Sequence, residues 1–245
     1  MRNWQAGGRT RVAYTIYIGN KNYSSWSLRG WLLVRASGAP FAEKVVSLNA
    51  NDLTGVYKEF SPSGLVPCLV DAGTQPETVV WDSMAIAEYL AERHAGFWPA
   101  APRARAWARS ICAEMHAGFR AVRGEMTMCI KESVDVRPWS AALQRDIDRI
   151  CAIWSETLKR HGGQRSNGGD GGLLFGGFCA ADAFYGPVAF RFRTYGVKPD
   201  GAAGEYLAAL LAHPYMREWE RAALAETEVI EADEPRIIYR DKIRS

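Results

Sequence analysis

The stretch SPSGLVPCLVDAGTQPETVVWDSMAIAEYL, Ser61 to Leu90, combines a proline at the start of a strand, a turn and a capped helix. Cys68–Val70 and Thr78–Trp81 are rich in β-formers, and the turn-rich segment DAGTQPE joins them, which predicts a hairpin. Asp82 and Ser83 favour the start of a helix, because both residue types cap helix N-termini. The stretch therefore predicts a β-β-α unit.

The residues before this stretch predict a β-α-β unit. Tyr14–Ile18 is rich in β-formers, and Phe41–Leu48 is interpreted as a second strand. Between them, Leu28, Trp31 and Leu32 fall at helical spacing, which predicts a helix from about residue 26 to residue 37. Together with the hairpin and its helix, these elements predict a small α/β sheet domain over residues 13–95.

The pattern changes after HAGFWPAAP, residues 94–102, where strand signals stop and long helices follow. A helix is predicted from about Ala180 to Tyr195, with shorter helices near Tyr206 and Trp219. Apolar residues also repeat along two earlier helical faces: Trp107, Ile111, Met115, Phe119 and Val122, then Leu143, Ile147, Ile150, Trp154 and Leu158. The prediction is an all-helical domain over residues 102–230, with a flexible loop at residues 164–172.

The composition excludes several classes of protein. The chain has 245 residues, 48% of them hydrophobic, which is ample for a packed core. The net charge is only +3 and the arginines are scattered, so no nucleic-acid partner is expected. No apolar run is long enough to cross a membrane, and residues 1–12 form a loose leader without the apolar region of a secretory signal. The odd number of cysteines without C-x-x-C spacing favours a reducing cytoplasm, and the four dispersed histidines argue against a metal site.

The segment NYSSWSLRGW, Asn22 to Trp31, places three serines where the first strand leads into the first helix. Ser24 or Ser25 is suited to cap this helix. The amides and dipole of a helix N-terminus also favour a negative charge, to which a serine hydroxyl can donate a hydrogen bond. Both roles stay open for Ser24 and Ser25, whereas Ser27 is interpreted as structural.

Three other features have both a structural and a binding interpretation. A cis Val66–Pro67 bond would leave the Val66 amide and carbonyl free to pair with an extended peptide, whereas a trans bond would be an ordinary strand start. Asp82–Ser83 caps a helix, but it could equally hold an ammonium and a carboxylate, as at an amino-acid end. Asp182, three residues after Cys179, predicts a capping box that helps the helical domain to fold.

Together and in this order, these features resemble the cytosolic glutathione transferases. SGLVP followed by WDSMAIAEYL is the specific part, and SSWSLR is similar to the serine signature of zeta-class and related bacterial enzymes. The resemblance covers roughly residues 13–230. It implies a thioredoxin-like N-terminal domain followed by an all-helical C-terminal domain, with glutathione as co-substrate, no metal, and a cytoplasmic homodimer.

The resemblance also implies roles for individual residues. Ser24 matches the serine that hydrogen-bonds the glutathione thiolate, and Ser25 is its neighbour and rival. Val66 matches the residue whose backbone pairs with the cysteinyl part of glutathione, and Pro67 matches the cis-proline. Asp82–Ser83 matches the pair that holds the γ-glutamyl end.

The second substrate is expected between the domains, where Met115, His116 and Phe119 are candidates for the electrophile pocket and are equally interpretable as core. Leu65 departs from the family pattern, since many relatives have lysine or glutamine near the glycyl end of glutathione. Trp26 replaces a cysteine of the zeta-type proteins, which argues against maleylacetoacetate isomerisation.

The resulting prediction is a glutathione transferase that activates the thiolate through a serine hydroxyl for attack on a small electrophile. One alternative is a glutathione-dependent isomerase or peroxidase on the same fold. Another is a non-catalytic scaffold that binds a protein partner, although such a scaffold has no need for the serine, cis-proline and Asp-Ser features. A thioredoxin-type disulfide reductase is excluded, because it needs a cysteine where Ser24 stands.

Overall fold

A four-stranded mixed sheet with helices packed on it forms the N-terminal part of the protein. The computed structural model describes residues 13–49, 53–162 and 171–242, so the predicted leader and most of the predicted loop at 164–172 lie outside the described residues. The strands lie in the order β2-β1-β3-β4, with β1 and β2 parallel and the other pairs antiparallel. The elements are β1 (Tyr14–Gly19), α1 (Ser25–Ala36), β2 (Phe41–Val46), α2 (Leu53–Lys58), β3 (Cys68–Asp71), β4 (Thr78–Trp81) and α3 (Ser83–Ala91).

The remainder of the described chain is helical. Its elements are α4 (Pro102–Ala117), α5 (Arg120–Glu125), α6 (Ala141–His161), α7 (Ala180–Thr194), α8 (Gly201–Ala212), α9 (Pro214–Ala225), a 3-10 helix (Glu231–Asp233) and α10 (Pro235–Ile238). This arrangement confirms the predicted fold class, a thioredoxin-like sheet domain followed by helices.

One predicted helical face is interrupted. The apolar repeat through Phe119 and Val122 predicted a single helix, but α4 ends before Gly118 and Phe119 adopts a left-handed backbone with φ of 56°. The amides of Ala121 and Val122 donate to a carboxylate oxygen of Asp146 on α6, at 3.0 and 3.2 Å. This carboxylate satisfies the free amides at the start of α5, so a second helix begins where continuation of α4 was predicted.

Other differences lie at element ends and in short elements. β2 ends at Val46 rather than at Leu48, and α2, the 3-10 helix and α10 have no counterpart in the prediction. Short helices of this kind depend on tertiary contacts, because a helix of one or two turns has little stability of its own.

Helix α1 is held close to both its neighbours by glycines. A Cβ atom on Gly30 would lie 2.6 Å from Pro67, so this glycine allows the helix to approach the Val66–Pro67 turn. A Cβ atom on Gly186 of α7 would lie 2.8 Å from Leu32, so this glycine allows α7 to pack closely against α1 in the same way. The middle of α1 therefore packs closely between the Val66–Pro67 turn and α7.

The helical part has an aromatic core around Trp154 of α6. The Trp154 ring is fully buried and lies 4.9 to 5.7 Å from the ring centroids of Tyr206, Phe192 and Tyr185. Edge-to-face contacts of this kind add to the free energy of burying the rings. None of the helices in the described part of the chain combines the length and apolar character needed to cross a bilayer.

Candidate functional site

A cleft of about 500 Å³ opens beside the cis-proline turn and the start of α3. Its volume is within the range of small-molecule sites. It contains all four residues predicted to bind glutathione outside the serine segment, and Trp26 lines it from α1. The lining residues are Trp26, Ser63, Leu65, Val66, Pro67, Trp81, Asp82 and Ser83.

Ser24 is the N-cap of α1. Its hydroxyl accepts from the Ser27 amide at 3.4 Å and donates to the Ser27 hydroxyl oxygen at 2.7 Å. That oxygen also accepts from the Gly19 amide at 2.8 Å, so Ser27 ties the helix start to the end of β1. Ser24 is only 8% exposed, and its proton is directed at Ser27 in this structure.

Ser25 is the first residue of α1 and is half-buried. Its hydroxyl oxygen accepts a hydrogen bond from Nη2 of Arg191 at 3.2 Å. The Ser25 proton therefore has no competing acceptor among the contacts formed by the described residues. A charged donor on the oxygen also makes the hydroxyl a stronger donor, because hydrogen bonds in series polarise one another.

The Val66–Pro67 peptide bond is cis, which decides between the two alternatives that the sequence left open. Neither the amide nor the carbonyl of Val66 forms a hydrogen bond with the rest of the described chain. Both groups lie at the cleft and are available to an extended peptide, which would pair with them as an added strand does.

Asp82 and Ser83 present different groups at the far side of the cleft. Asp82 caps α3 through a 2.7 Å hydrogen bond from the Met84 amide, with a positive φ of 72°. Its carboxylate is exposed, so it can also meet a ligand ammonium. The Ser83 hydroxyl is fully buried and has no hydrogen-bond partner within the described residues. Because buried polar groups in native proteins are nearly always hydrogen-bonded, this hydroxyl is suited to bind a ligand.

Of the three predicted electrophile-pocket residues, none lines the cleft, and His116 contacts two residues that do, Asp82 and Trp26. Its Nε2 lies 3.5 Å from the Asp82 carboxylate, and its ring packs edge-on against Trp26 at 5.3 Å. Burial lowers the pKa of His116, the charge of Asp82 opposes this, and Arg29 and Arg123 lower it further. The imidazole is therefore neutral near pH 7. Met115 and Phe119 are 1% and 7% exposed and belong to the core cluster.

Three arginines near Trp26 were not anticipated from the sequence: Arg29 on α1, Arg123 on α5 and Arg191 on α7. The guanidinium carbons of Arg29 and Arg123 each lie 4.6 Å from the centroid of the Trp26 ring. The available signal was a charge inside an apolar run, since Arg191 stands between Phe190 and Phe192 in a helix that is buried almost throughout.

The segment 226–234 after α9 holds the loop that leads into α1. Both carboxylate oxygens of Glu226 accept from backbone amides of this loop, at 2.6 Å from Lys21 and 2.9 Å from Asn22. Glu228 accepts from the Asn20 side chain at 2.7 Å. Charge-assisted bonds of this kind are stronger than neutral ones, so the C-terminal segment fixes the position of the serines.

Asp182 forms the predicted capping box with Cys179, and its carboxylate accepts from the Cys179 amide at 2.9 Å. It also accepts from the Tyr206 hydroxyl at 3.1 Å. Burial raises the pKa of Asp182 to about 6, against the lowering effect of these hydrogen bonds. Its place in the buried core, away from the cleft, gives it a structural role. Within the described residues, no group of three His, Cys, Asp or Glu side chains is arranged to hold a metal ion.

Comparison with known proteins connects this geometry to one class. Residues 23–93 match the protein family described as Glutathione S-transferase, N-terminal domain. The fold of the described chain matches solved structures of glutathione transferases, several of them with glutathione bound. No curated protein sequence gives a significant match.

Three solved structures illustrate the likeness. A glutathione transferase homolog from Burkholderia gl BGR1, with bound glutathione, is 19% identical, with 88% of this chain and 100% of that chain covered and a TM-score of 0.62. The theta class glutathione S-transferase from Xanthomonas axonopodis pv. citri, with glutathione bound, is 21% identical over 88% of this chain and 99% of that chain, with a TM-score of 0.61. A glutathione transferase family member from Pseudomonas fluorescens pf-5, with two glutathione bound, is 19% identical over 87% and 95%, with a TM-score of 0.61. At these identities the comparisons define the fold.

Proposed function

We propose that this protein is a serine-type glutathione transferase, which binds glutathione in the cleft and joins its sulfur to a small electrophile. The observation that carries the proposal is the meeting of three features in one cleft: the cis Val66–Pro67 turn, the Asp82–Ser83 helix start and the N-terminal end of α1. The solved structures with bound glutathione on the same fold support it.

The three features match the parts of the tripeptide. The free amide and carbonyl of Val66 pair with the backbone of the cysteinyl residue. The Asp82 carboxylate binds the ammonium of the γ-glutamyl residue. The Ser83 hydroxyl, which has no other partner within the described residues, donates to the carboxylate of the same ligand residue at the N-terminus of α3. In this assignment residues 13–95 form the glutathione-binding domain and residues 102–230 the substrate domain.

The chemical task is to ionise a thiol whose free pKa of about 8.5 leaves it mostly protonated at pH 7. A hydroxyl donor and a helix N-terminus both stabilise the thiolate and lower that pKa. The geometry favours Ser25 as the donor to the thiolate, because the Ser24 hydroxyl already donates to Ser27. Ser24 becomes the donor if its hydroxyl rotates away from Ser27. The thiol proton passes to solvent, and a sulfur electron pair forms the new bond to the electrophilic carbon, whose leaving group departs with the old bonding pair.

His116 borders the electrophile side, with Met115 and Phe119 behind it in the core.

We also infer a cytoplasmic homodimer. The edge strand β4 exposes Val79 at 37% and Trp81 at 43%, and a second copy of the chain would cover these apolar side chains.

Calorimetry with glutathione tests the proposal. Saturable binding below millimolar concentration is expected. Asp82→Asn retains the helix cap, because asparagine caps as well as aspartate does, and removes only the charge. Asp82→Asn and Ser83→Ala should each weaken binding about tenfold or more, since hydrogen bonds to charged groups contribute about 1.5–3 kcal/mol. Ser110→Ala, at an exposed position on α4, is the matched control and should bind like wild type.

Absence of binding at millimolar glutathione would favour the non-catalytic scaffold. If glutathione binds, rates with aryl halides, hydroperoxides and maleyl compounds separate conjugation from peroxide reduction and isomerisation. Conjugation of an aryl halide is the expected activity. A protein that binds glutathione but reacts only with hydroperoxides or maleyl compounds would contradict the transferase assignment.

A further inference from the structure

Arg29 and Arg123, which lie against Trp26, form with Arg191 a buried positive cluster between the sheet domain and the helical domain. Arg29 of α1 is 3% exposed and Arg191 of α7 is 6% exposed, whereas Arg123 of α5 is half-buried and connects the cluster to the surface. Within the described residues, none of the three forms an ion pair with a carboxylate.

Several donors in this cluster have no acceptor. Nε and Nη1 of Arg29 and Nε of Arg123 are buried without a hydrogen-bond partner among the described residues. The other contacts are to neutral oxygens: Arg191 donates to the Met126 carbonyl at 2.6 Å and to Ser25, and Arg123 donates to the His116 carbonyl at 2.8 Å. Among the described residues, other buried atoms without a partner are Nδ1 of His116, Oγ of Ser83 and the indole nitrogens of Trp98, Trp139 and Trp154, and within the cluster the unpartnered donors belong to cationic side chains.

The electrostatic environment of Arg29 also lacks a compensating negative charge from the described residues. Burial, together with the charges of Arg123 and Arg191, lowers the pKa of Arg29 to about 9. The other groups acting on Arg29 are Cys112 and Tyr185, both neutral because burial raises their pKa values. Asp82 acts on His116, and Asp233 acts on Arg191 from the C-terminal segment. A buried charge without a partner is strongly unfavourable, so a fold that keeps one is suited to receive an anion.

The cluster lies one side chain away from the cleft. Trp26 lines the cleft and also contacts the guanidinium groups of Arg29 and Arg123. Arg191 donates to Ser25, the residue proposed to meet the glutathione sulfur. A group held by the cluster would therefore lie next to the sulfur on the side of the helical domain, where the second substrate is expected.

From this placement we propose that Arg29, Arg123 and Arg191 bind the carboxylate of an acidic electrophile, so that the second substrate is an organic acid. The assignment rests on the proposed binding of glutathione in the cleft. Guanidinium groups suit a carboxylate, because their planar fork matches its two oxygens, and several guanidinium groups together offset the charge of one bound anion. Neutral electrophiles would leave the cluster uncompensated.

Two glutathione conjugates of nearly equal size provide the test. S-(carboxymethyl)glutathione carries a carboxylate on the sulfur substituent, and S-(carbamoylmethyl)glutathione carries the neutral amide in its place. In calorimetry with the wild-type protein, the carboxylate conjugate should bind at least tenfold more tightly. Arg29→Met should abolish this preference, whereas Arg103→Met, at an exposed position on α4, should retain it.

A second measurement distinguishes a binding role from a structural one. Arg29→Met replaces an uncompensated charge with an apolar chain of similar length, so the ligand-free variant should melt at the same or a higher temperature than wild type. Equal affinity of the two conjugates for the wild-type protein would overturn the proposal while leaving glutathione binding intact. A failure of both conjugates to bind would overturn the proposed function itself, and this assignment with it.

Discussion

Ser25 is the first residue of α1, and its hydroxyl accepts a hydrogen bond from Arg191. Replacing Ser25 with alanine removes this hydroxyl. If this hydroxyl donates to the glutathione thiolate, the lost hydrogen bond is charge-assisted and is worth about 1.5–3 kcal/mol. At about 1.36 kcal/mol per pKa unit, its removal raises the pKa of the bound thiol by about one to two units. The helix N-terminus remains, so part of the activation should persist.

The measurement is the pH dependence of conjugation at saturating glutathione, together with the absorbance of the bound thiolate. The rate follows the thiolate fraction, so the midpoint of the profile should move up by about one unit or more in Ser25→Ala. Well below both midpoints the rate should fall about tenfold or more. Above both midpoints, the rates of variant and wild type should converge.

Two neighbouring serines and one conservative variant serve as controls. Ser27→Ala removes the acceptor of the Gly19 amide, so it should lower the melting temperature without moving the pH midpoint. Ser24→Ala loses the helix cap, at a cost of about 1 kcal/mol of stability. Ser25→Thr keeps a hydroxyl and should retain the low midpoint. A wild-type profile in Ser25→Ala together with a shifted one in Ser24→Ala would assign the donor to Ser24, and unchanged profiles in both would remove serine from the mechanism.

Two further predictions concern the support of the site. Glu226→Ala removes both hydrogen bonds from its carboxylate to the loop before α1. It should lower the free energy of unfolding by about 2 kcal/mol in chemical denaturation and raise the KM for glutathione. A variant with unchanged stability and KM would show that the loop is held by other contacts. Asp182→Asn should destabilise by about 2 kcal/mol or more, because a buried network loses acceptors. In the folded protein the pKa of Asp182 is about 6, above its ordinary value of 3.8, so the folded state binds a proton at higher pH than the unfolded state does. The stability of wild type relative to the variant should therefore rise as pH falls from about 6 to about 4. A pH-independent difference in stability would contradict the raised pKa.

The sheet domain was predictable because its signals are local. The β-rich runs, the turn between Asp71 and Thr78 and the capping residues Asp82 and Ser83 lie within a few residues of the elements that they define. The break at Phe119 was not predictable in this way. Its cause includes Asp146 on another helix, which accepts hydrogen bonds from the first amides of α5. The sequence around Phe119 contains no signal of this contact, because Asp146 is far away along the chain.

The arginine cluster was hidden for a related reason. A single arginine in an amphipathic helix ordinarily lies on its exposed face or extends its charged end to water, which is how Arg29 and Arg191 would be interpreted one at a time. Their proximity follows from the close packing of α1 on α7, which Gly186 permits. Sequence patterns give the faces of individual helices, whereas a charge cluster depends on which faces meet.

The division of roles among the three serines, by contrast, follows from helix geometry. Residues three apart lie on the same side of a helix, whereas adjacent residues are turned by about 100°. Ser24 and Ser27 are therefore placed to pair with each other, and they do so beneath the end of β1. Ser25 is turned away from that pair toward Arg191 and the helical domain. Because the cap is already supplied by Ser24, the hydroxyl of Ser25 is not needed to start the helix, and this leaves it available for the sulfur of a bound thiol.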